Sequence, residues 1–114
     1  MKIKLLKSKI HRATITDACL DYEGSISIDQ SLLKASKIIP YEKVHVLNVT
    51  NGNRLETYAI PSKKKGEICI NGAAAHLVNP KDIVIIASYV QMTTDEANSF
   101  NPTIIYPNEF NEIK

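Results

Sequence analysis

The chain has 114 residues, which is enough for one domain with a modest hydrophobic core. Its 44% hydrophobic and 23% charged residues are ordinary for a soluble globular protein, and a net charge of +2 is too small to indicate a nucleic-acid partner. No apolar stretch approaches the length of a membrane span or the pattern of a signal peptide, so we expect a cytoplasmic protein without a membrane partner.

The N-terminal half predicts strands and one short helix. Partly alternating, β-branched runs predict strands over 2–7 and 10–16, with a break or bend between them at Ser8-Lys9. The alternation of residues 26–28 predicts another short strand. Asp29 then follows as the expected N-cap of a helix over residues 30–37.

The C-terminal half predicts a hairpin and further strands. Alternating valines predict strands over 43–50 and 54–60, joined by Asn51-Gly52 in a type I′ turn. The remaining predictions are strands over 67–70, 83–90 and 103–106, a helical turn after Asn71, a short acidic helix capped by Thr93 or Thr94, and a frayed polar tail over 108–114.

Many short strands with two brief helices predict a small, mainly β barrel. The run over 83–90 is apolar throughout, so we expect that strand to be covered on both faces, in a barrel interior or a subunit interface. Cys19 and Cys69 lack metal-site spacing, and nothing indicates an oxidising compartment. We expect both thiols to be reduced and to act as small hydrophobic groups, and we expect no metal.

Gly24-Ser25 allows two interpretations. It is an ordinary turn pair, because glycine tolerates positive φ and serine bonds local backbone. Alternatively the peptide bond is itself a reactant, with Ser25 Oγ attacking the Gly24 carbonyl. The basic run Lys63-Lys64-Lys65 is typical of a solvated loop, and His45 among alternating valines is typical of a strand surface.

Several polar residues on predicted β elements are candidates for chemistry, although each has an ordinary structural explanation when taken singly. They are Lys9, His11, Tyr22, Ser25, Arg54, Thr57, Tyr58 and Asn71. Composition and spacing alone leave the function open at this point.

Five sequence blocks change this assessment. They are Lys9-Ile10-His11-Arg12, Tyr22-Glu23-Gly24-Ser25, Asn48-Val49-Thr50-Asn51-Gly52, Arg54 with Thr57-Tyr58, and Asn71-Gly72-Ala73-Ala74-Ala75. In this order and at this spacing they resemble the pyruvoyl-dependent aspartate 1-decarboxylase family. The resemblance extends from Leu5 to about Pro107.

The resemblance implies a double-psi β-barrel, a homotetramer and a single domain over residues 1–114 that processes itself. Cleavage at Gly24-Ser25 would yield a β chain of residues 1–24 and an α chain of residues 25–114. Ser25 would become a pyruvoyl group, a covalent cofactor made without pyridoxal phosphate, and it would form a Schiff base with L-aspartate. The family's reaction makes β-alanine and carbon dioxide for pantothenate synthesis.

Residue roles also follow from the resemblance. Thr57 is tied to self-cleavage, and Asn71 is a candidate donor near the oxyanion that develops at Gly24. Tyr58 matches the proton donor that quenches the carbanion at Cα. The implied substrate-binding residues are Lys9, His11, Arg54, Thr57, Gly72, Ala73 and Ala74, with Arg54 suited to bind a carboxylate bidentately.

One departure from the family pattern is visible, because residue 26 is often small or polar there and is isoleucine here. The bulk of Ile26 beside the reactive bond is expected to alter the processing rate without changing the outcome. Two alternatives remain: a non-catalytic double-psi barrel that serves as a binding module, and a nucleic-acid-binding domain that uses Lys63-Lys64-Lys65. A separate maturation factor is also compatible with the sequence.

Overall fold

Residues 1–113 are described by a computed structural model, and they form eight strands, two α-helices and one 3-10 helix. In chain order the elements are β1 (Lys2–Thr14), β2 (Asp17–Cys19), β3 (Ser25–Asp29), α1 (Gln30–Ser36), β4 (Lys43–Asn48), β5 (Arg54–Ser62), β6 (Ile68–Asn71), the 3-10 helix (Gly72–Leu77), β7 (Ile83–Thr93), α2 (Thr94–Ala97) and β8 (Thr103–Ile105). None of the described helices is long and apolar enough to cross a membrane.

The strands form one mixed sheet in the order β2-β6-β3-β5-β4-β7-β1-β8. In this order β2 is at one end and β1 is next to the other end, yet only Ile15 and Thr16 separate the two strands in the sequence. The two ends of the sheet are therefore close together. Ile15 N–H donates to Asp82 O at 2.9 Å, and Thr16 N–H donates to Ile68 O at 2.8 Å, which ties this bend to its neighbours. The sheet therefore closes on itself, and the predicted mainly β, double-psi barrel is confirmed.

Branched aliphatic side chains fill the barrel because alternate residues of each strand face inward. On β3 these are Ile26 and Ile28, and on β4 they are Val44 and Val46, all fully buried. The inner side chains of β1, β6 and β7 complete the core: Ile10, Ala13, Ile68, Ile70, Val84 and Ile86. The outer faces of the same strands are left to carry polar groups.

Of the break or bend predicted at Ser8-Lys9, the break is wrong, because β1 runs through these residues as one strand. Ser8 and Lys9 are paired on both sides, with Ser88 and Ala87 of β7 and with β8. Register shifts follow Leu6, directly before Ser8, and Ile10, so the first is close to the predicted bend. Arg12 absorbs the second shift at a φ of 63°, so the strand bends at bulges instead of ending.

The predicted hairpin forms, but its two-residue type I′ turn is wrong. β4 ends at Asn48, and Asn48 N–H donates to Asn53 O at 2.8 Å, so the loop is longer than two residues. Of the predicted turn pair only Gly52 has positive φ, at 80°, whereas a type I′ turn requires positive φ at both positions. The Asn48 side chain holds the wider loop by accepting from Thr50 N–H at 3.0 Å.

The predicted frayed tail is also wrong for the part of it that the structure describes. Asn111 is buried, and its Oδ1 accepts from Thr14 N–H at 2.8 Å. Its Nδ2 donates to the Thr14 and Gly66 carbonyls, each at 2.8 Å. These bonds attach the C-terminal segment to β1 and the loop before β6; Lys114, also in the predicted tail, lies outside the described residues.

Other predictions are confirmed with adjusted bounds. Thr93 caps α2 in a full capping box, and the strand predicted over 83–90 extends to Thr93. On that strand Val84 and Ile86 are fully buried whereas Ile83 and Ile85 are half-buried, so within one chain only one face is completely covered. Both cysteines are free thiols; Cys69 is buried as a small hydrophobic group would be, whereas Cys19 is exposed.

Asp29 caps α1 as predicted and also ties the helix to the loop before β6. Its Oδ1 accepts from Ser31 N–H and Oγ, each at 2.8 Å, and its Oδ2 accepts from Gly66 N–H at 2.7 Å. Burial alone would raise the pKa of Asp29, but these hydrogen bonds outweigh it and hold the pKa below 3.8. The charged form is therefore favoured in the folded state.

The depressed pKa of Asp29 predicts that the folded state loses stability in acid. Because the folded pKa of Asp29 is depressed, its stabilising effect is complete above 3.8 and is lost as the pH falls through the folded pKa. In urea unfolding, Asp29→Asn should lose less free energy of unfolding than the wild type between neutral pH and strongly acidic pH. Asp95→Asn, on the exposed helix α2, should retain the wild-type pH dependence; a wild-type decline in Asp29→Asn would contradict the assignment.

Candidate active site

The Gly24-Ser25 bond lies where an exposed bend enters a buried strand. Gly24 is exposed, whereas Ser25, the first residue of β3, is only 1% exposed. Ser25 Oγ donates to the Glu23 carbonyl at 3.0 Å, across the bond in question. The bend confirms the turn interpretation, but Gly24 does not use the positive φ that glycine allows.

Asn71 holds the Ser25 hydroxyl from the neighbouring strand. The two residues are directly paired between β3 and β6, and Asn71 is 3% exposed. Its Nδ2 donates to Ser25 Oγ at 3.0 Å and to Ser27 Oγ at 3.0 Å. Asn71 therefore donates to the Ser25 hydroxyl, whereas the sequence analysis expected it to donate near the Gly24 carbonyl.

Thr57 and Tyr58 approach the same bond from the other side of β3. β3 and β5 are parallel, with Ile26 paired to Ala59. Continuing this register by one and two residues places Tyr58 beside Ser25 and Thr57 beside Gly24. The Tyr58 ring is half-buried and stacks on Tyr41 with ring centroids 6.0 Å apart, which fixes its position on the outer face of β5.

The backbone of Gly72 lies close against the backbone of Gly24. Its φ is 77°, and a Cβ added to it would lie 2.7 Å from Gly24 Cα and 2.8 Å from Gly24 N. No side chain fits between these backbones, so glycine is required on steric as well as conformational grounds. Ala73 and Ala74 follow in the 3-10 helix, exposed and half-buried respectively.

Gly72→Ala should therefore slow cleavage and lower the free energy of unfolding by roughly 1–3 kcal/mol, since the new methyl group meets backbone in a left-handed conformation. Gly52→Ala is the matched control, because Gly52 has a similar φ of 80° but open space around it. It should show the conformational cost without a cleavage defect. Denaturant melts and intact-mass spectra measure both effects, and equal cleavage rates in the two variants would contradict this role for Gly72.

Ile26, the departure from the family pattern, is fully buried in the core. Its side chain lies on the face of β3 opposite to the Ser25 and Ser27 hydroxyls, because adjacent strand residues point to opposite faces. The added bulk is therefore taken up by the barrel interior and lies away from the hydroxyl that Asn71 holds.

The three basic site residues lie further along the sheet from Ser25, and Arg54 is on the same face of β5 as Tyr58. Arg54 is exposed and pairs with Leu47, and Leu47 pairs with Ile85 of β7. Ile85 lies opposite the β1 bulge that contains His11, so these residues form one row across four strands. Arg54 is four residues from Tyr58, roughly 13 Å along the strand.

Lys9 lies in the next cross-strand row, two residues before His11 on β1. Its strand partners are Ala87 and Ile104, neither of them adjacent to Gly24-Ser25. One chain therefore presents two half-sites: a serine half-site around Gly24, Ser25, Thr57, Tyr58, Asn71 and Gly72, and a basic half-site of Lys9, His11 and Arg54. The structure does not bring the two together within one chain.

His11 in the basic half-site favours its neutral form. Burial of the ring lowers its pKa below 6.5, and the positive charges of Lys9 and Arg12 lower it further. The ring meets Tyr106 edge to face with centroids 5.6 Å apart, and its buried Nδ1 has no hydrogen-bond partner among the described residues. His45 is half-buried against Tyr89 at the strand surface, as predicted.

Sequence reasoning missed two members of the hydrogen-bond network at Ser25. Ser27 accepts from Asn71, and Cys69 Sγ donates to Asn71 Oδ1 at 3.3 Å. The alternation of β6 would have placed Cys69 and Asn71 on one face, but only the β3–β6 register shows that Ser25 and Ser27 face them. Residues 1–113 contain no cluster of histidine, cysteine or acidic side chains suited to hold a metal ion.

The fold and site define a mainly β barrel with a buried serine directly after an exposed glycine. The model of the aspartate decarboxylase family matches residues 1–114. The chain is 54% identical to an aspartate 1-decarboxylase of Campylobacter fetus over 99% of this chain and 98% of that protein. It is 55% identical to one of Legionella pneumophila (97% and 84% of the two chains) and 52% identical to one of Clostridium botulinum (100% and 91%). This chain belongs to the aspartate decarboxylase family.

Proposed function

We propose that this protein cleaves itself at Gly24-Ser25 and then decarboxylates L-aspartate to β-alanine, a precursor of pantothenate. The observation that carries the proposal is the environment of Ser25. Its hydroxyl is buried immediately after Gly24 and is held between Asn71 Nδ2 and the Glu23 carbonyl. A structural turn does not need a serine hydroxyl held in this way.

Self-cleavage would begin as an exchange of amide for ester. Ser25 Oγ bonds to the Gly24 carbonyl carbon, the bond from that carbon to Ser25 N breaks, and the hydroxyl proton ends on the released amine. Removal of the Ser25 Cα proton then breaks the Cβ–Oγ bond and leaves a carboxylate on Gly24. The resulting enamine tautomerises to an imine, and water replaces its nitrogen, releasing ammonia and leaving a ketone at residue 25.

The residues present fit such a pyruvoyl group. Its precursor is a serine at the start of a strand, and the glycine backbone of Gly72 lies against Gly24 where the chain would separate. Once formed, the group supplies a ketone and an adjacent amide carbonyl that take up the electron pair left when carbon dioxide departs. The two products would be residues 1–24 and residues 25–114.

Tyr58 would deliver a proton to the substrate Cα after carbon dioxide leaves, since the strand register places it beside residue 25. Thr57, beside Gly24, would assist cleavage and then line the substrate site. The backbone N–H groups of Gly72, Ala73 and Ala74 would bind substrate oxygens at the start of the 3-10 helix.

The separation of the two half-sites supports assembly of the active site from more than one chain. Arg54 and Lys9 are positive groups suited to the two carboxylates of aspartate, yet they lie away from Ser25 of their own chain. In the homotetramer that we propose, a neighbouring chain's Lys9, His11 and Arg54 would face residue 25. A neutral His11 would add a hydrogen bond without a further charge.

Substrate selection tests this function directly. Purified protein incubated separately with L-aspartate and L-glutamate, and followed by NMR, should convert L-aspartate to β-alanine and leave L-glutamate largely unchanged. Arg54→Ala should raise the KM for L-aspartate more than it changes cleavage, because it removes a charged substrate contact and not a group near Ser25. No β-alanine from fully cleaved wild-type protein would refute the proposed reaction.

A further inference from the structure

The buried thiol of Cys69 has no part in the chemistry described so far, yet it contacts the group that holds Ser25. Cys69 is 7% exposed on β6, directly opposite Ser27 of β3. Its Sγ donates to Asn71 Oδ1 at 3.3 Å, and the Ile70 carbonyl is a more distant acceptor at 3.8 Å. The thiol therefore bonds to the amide oxygen of Asn71 at closer range.

The Asn71 amide is bonded at both ends in this arrangement. Its oxygen accepts from Cys69, and its two N–H groups donate to Ser25 Oγ and Ser27 Oγ, each at 3.0 Å. If the amide were rotated by 180°, its NH₂ group would face sulfur, which is a weak acceptor, and its oxygen would face the two hydroxyls. Cys69 thus favours the orientation that donates to Ser25, and in this orientation Ser27 accepts the second N–H.

We propose that Cys69 and Ser27 are positioning residues for self-cleavage, acting on Ser25 through the amide of Asn71. This rests on the proposed function. The hydrogen bond that Asn71 donates to Ser25 Oγ stabilises negative charge as the hydroxyl loses its proton and attacks Gly24. A misoriented amide would remove that donor and would draw the hydroxyl proton to its own oxygen.

The thiol keeps its proton for this task over the neutral range. Burial raises the pKa of Cys69 to about 11, and the negative charges of Asp17 and Glu67 act in the same direction. Cys69 is therefore an S–H donor, not a thiolate that would repel the amide oxygen and the developing charge on Ser25.

Two substitutions at Cys69 separate hydrogen bonding from packing. Cys69→Val keeps a small apolar side chain but removes the donor, and it should slow cleavage about tenfold, the effect of losing one hydrogen bond from the transition state. Cys69→Ser restores a donor and should cleave within about threefold of the wild-type rate. The cleavage rate is measured from intact-mass spectra, as the fraction of uncleaved chain over time after induction and during incubation of the purified chain.

Controls remove the main ambiguities. Cys19→Val changes the exposed cysteine of β2 and should cleave at the wild-type rate. Thermal melts must show that the Cys69 variants are folded, and Cys69→Ala replaces Cys69→Val if valine does not fit. Ser27→Ala should also slow cleavage, because one Asn71 N–H then loses its acceptor.

The outcomes are distinguishable from failure of the proposed function. If the wild-type chain cleaves and Cys69→Val or Cys69→Ala cleaves equally fast, the role of Cys69 is overturned and the proposed function is unaffected. A folded Cys69→Ser as slow as Cys69→Val overturns the role as well, because a restored donor then has no effect. A wild-type chain that stays intact refutes self-cleavage, and this inference with it.

Discussion

Ser25→Ala is expected to leave a chain that remains intact and makes no β-alanine. The change removes the oxygen that attacks Gly24 and the only source of the ketone at residue 25, so cleavage and decarboxylation should be lost together. Decarboxylation should fall by on the order of 10⁴ or more, as when a nucleophile is removed from other enzymes. Intact-mass spectrometry and an NMR assay for β-alanine measure the two losses.

Ser27→Ala is the matched control for this experiment. Ser27 lies two residues further along β3 and accepts from the same Asn71 Nδ2 as Ser25. Its loss should slow cleavage without preventing it, so that the cleaved form still accumulates on long incubation. Fragmentation of Ser25→Ala between residues 24 and 25 would contradict the assignment of Ser25 as the attacking group.

Tyr58→Phe is expected to leave cleavage nearly intact while β-alanine formation falls roughly 10²- to 10⁴-fold, the usual contribution of a general acid. The ring and its stacking on Tyr41 are retained, so the barrel should be undisturbed. Only the hydroxyl that would deliver a proton to Cα is lost. Product formation normalised to the cleaved fraction measures the effect.

Tyr41→Phe provides the comparison, since it removes a hydroxyl from the other ring of the stacked pair. That ring is 77% exposed, and its variant should retain both cleavage and decarboxylation. If Tyr58→Phe also failed to cleave, the separation of its role from self-cleavage would be wrong.

Local chemistry made part of the fold predictable. Asp29 caps α1 and Thr93 caps α2 because each cap is encoded within a few residues of the helix it begins. The hairpin between β4 and β5 was predictable from alternation, but its turn type was not. The Asn48 side chain bonds the backbone of the loop and stabilises a wider connection than Asn51-Gly52 alone indicates.

Long-range pairing explains what the sequence could not provide. A break or bend was expected at Ser8-Lys9, yet the strand does not break there, because both residues are paired with β7 and β8. Asn111 was expected in a frayed tail because its partners, Thr14 and Gly66, lie far from it in sequence. Neither the continuity of β1 nor the burial of Asn111 can be predicted from the pattern of neighbouring residues.

The candidate site was likewise predictable only in part. Its residue types were predictable from the family resemblance, but their arrangement depends on strand order. Parallel pairing of β3 with β5 places Tyr58 beside Ser25, and the path of β1 leaves Lys9 remote from both. The requirement for glycine at position 72 is visible only from the structure, in its φ of 77° and in the 2.7 Å distance that an added Cβ would have from Gly24 Cα.

The most direct test of the central claim is the mass of the purified wild-type chain under denaturing conditions. Self-cleavage predicts two species, residues 1–24 with a free C-terminal carboxylate and residues 25–114 with a ketone in place of the N-terminal amine. The larger species should be modified by a carbonyl reagent such as a hydrazide. A chain that stays intact after prolonged incubation, or a larger fragment that begins with an unmodified serine, would contradict the account.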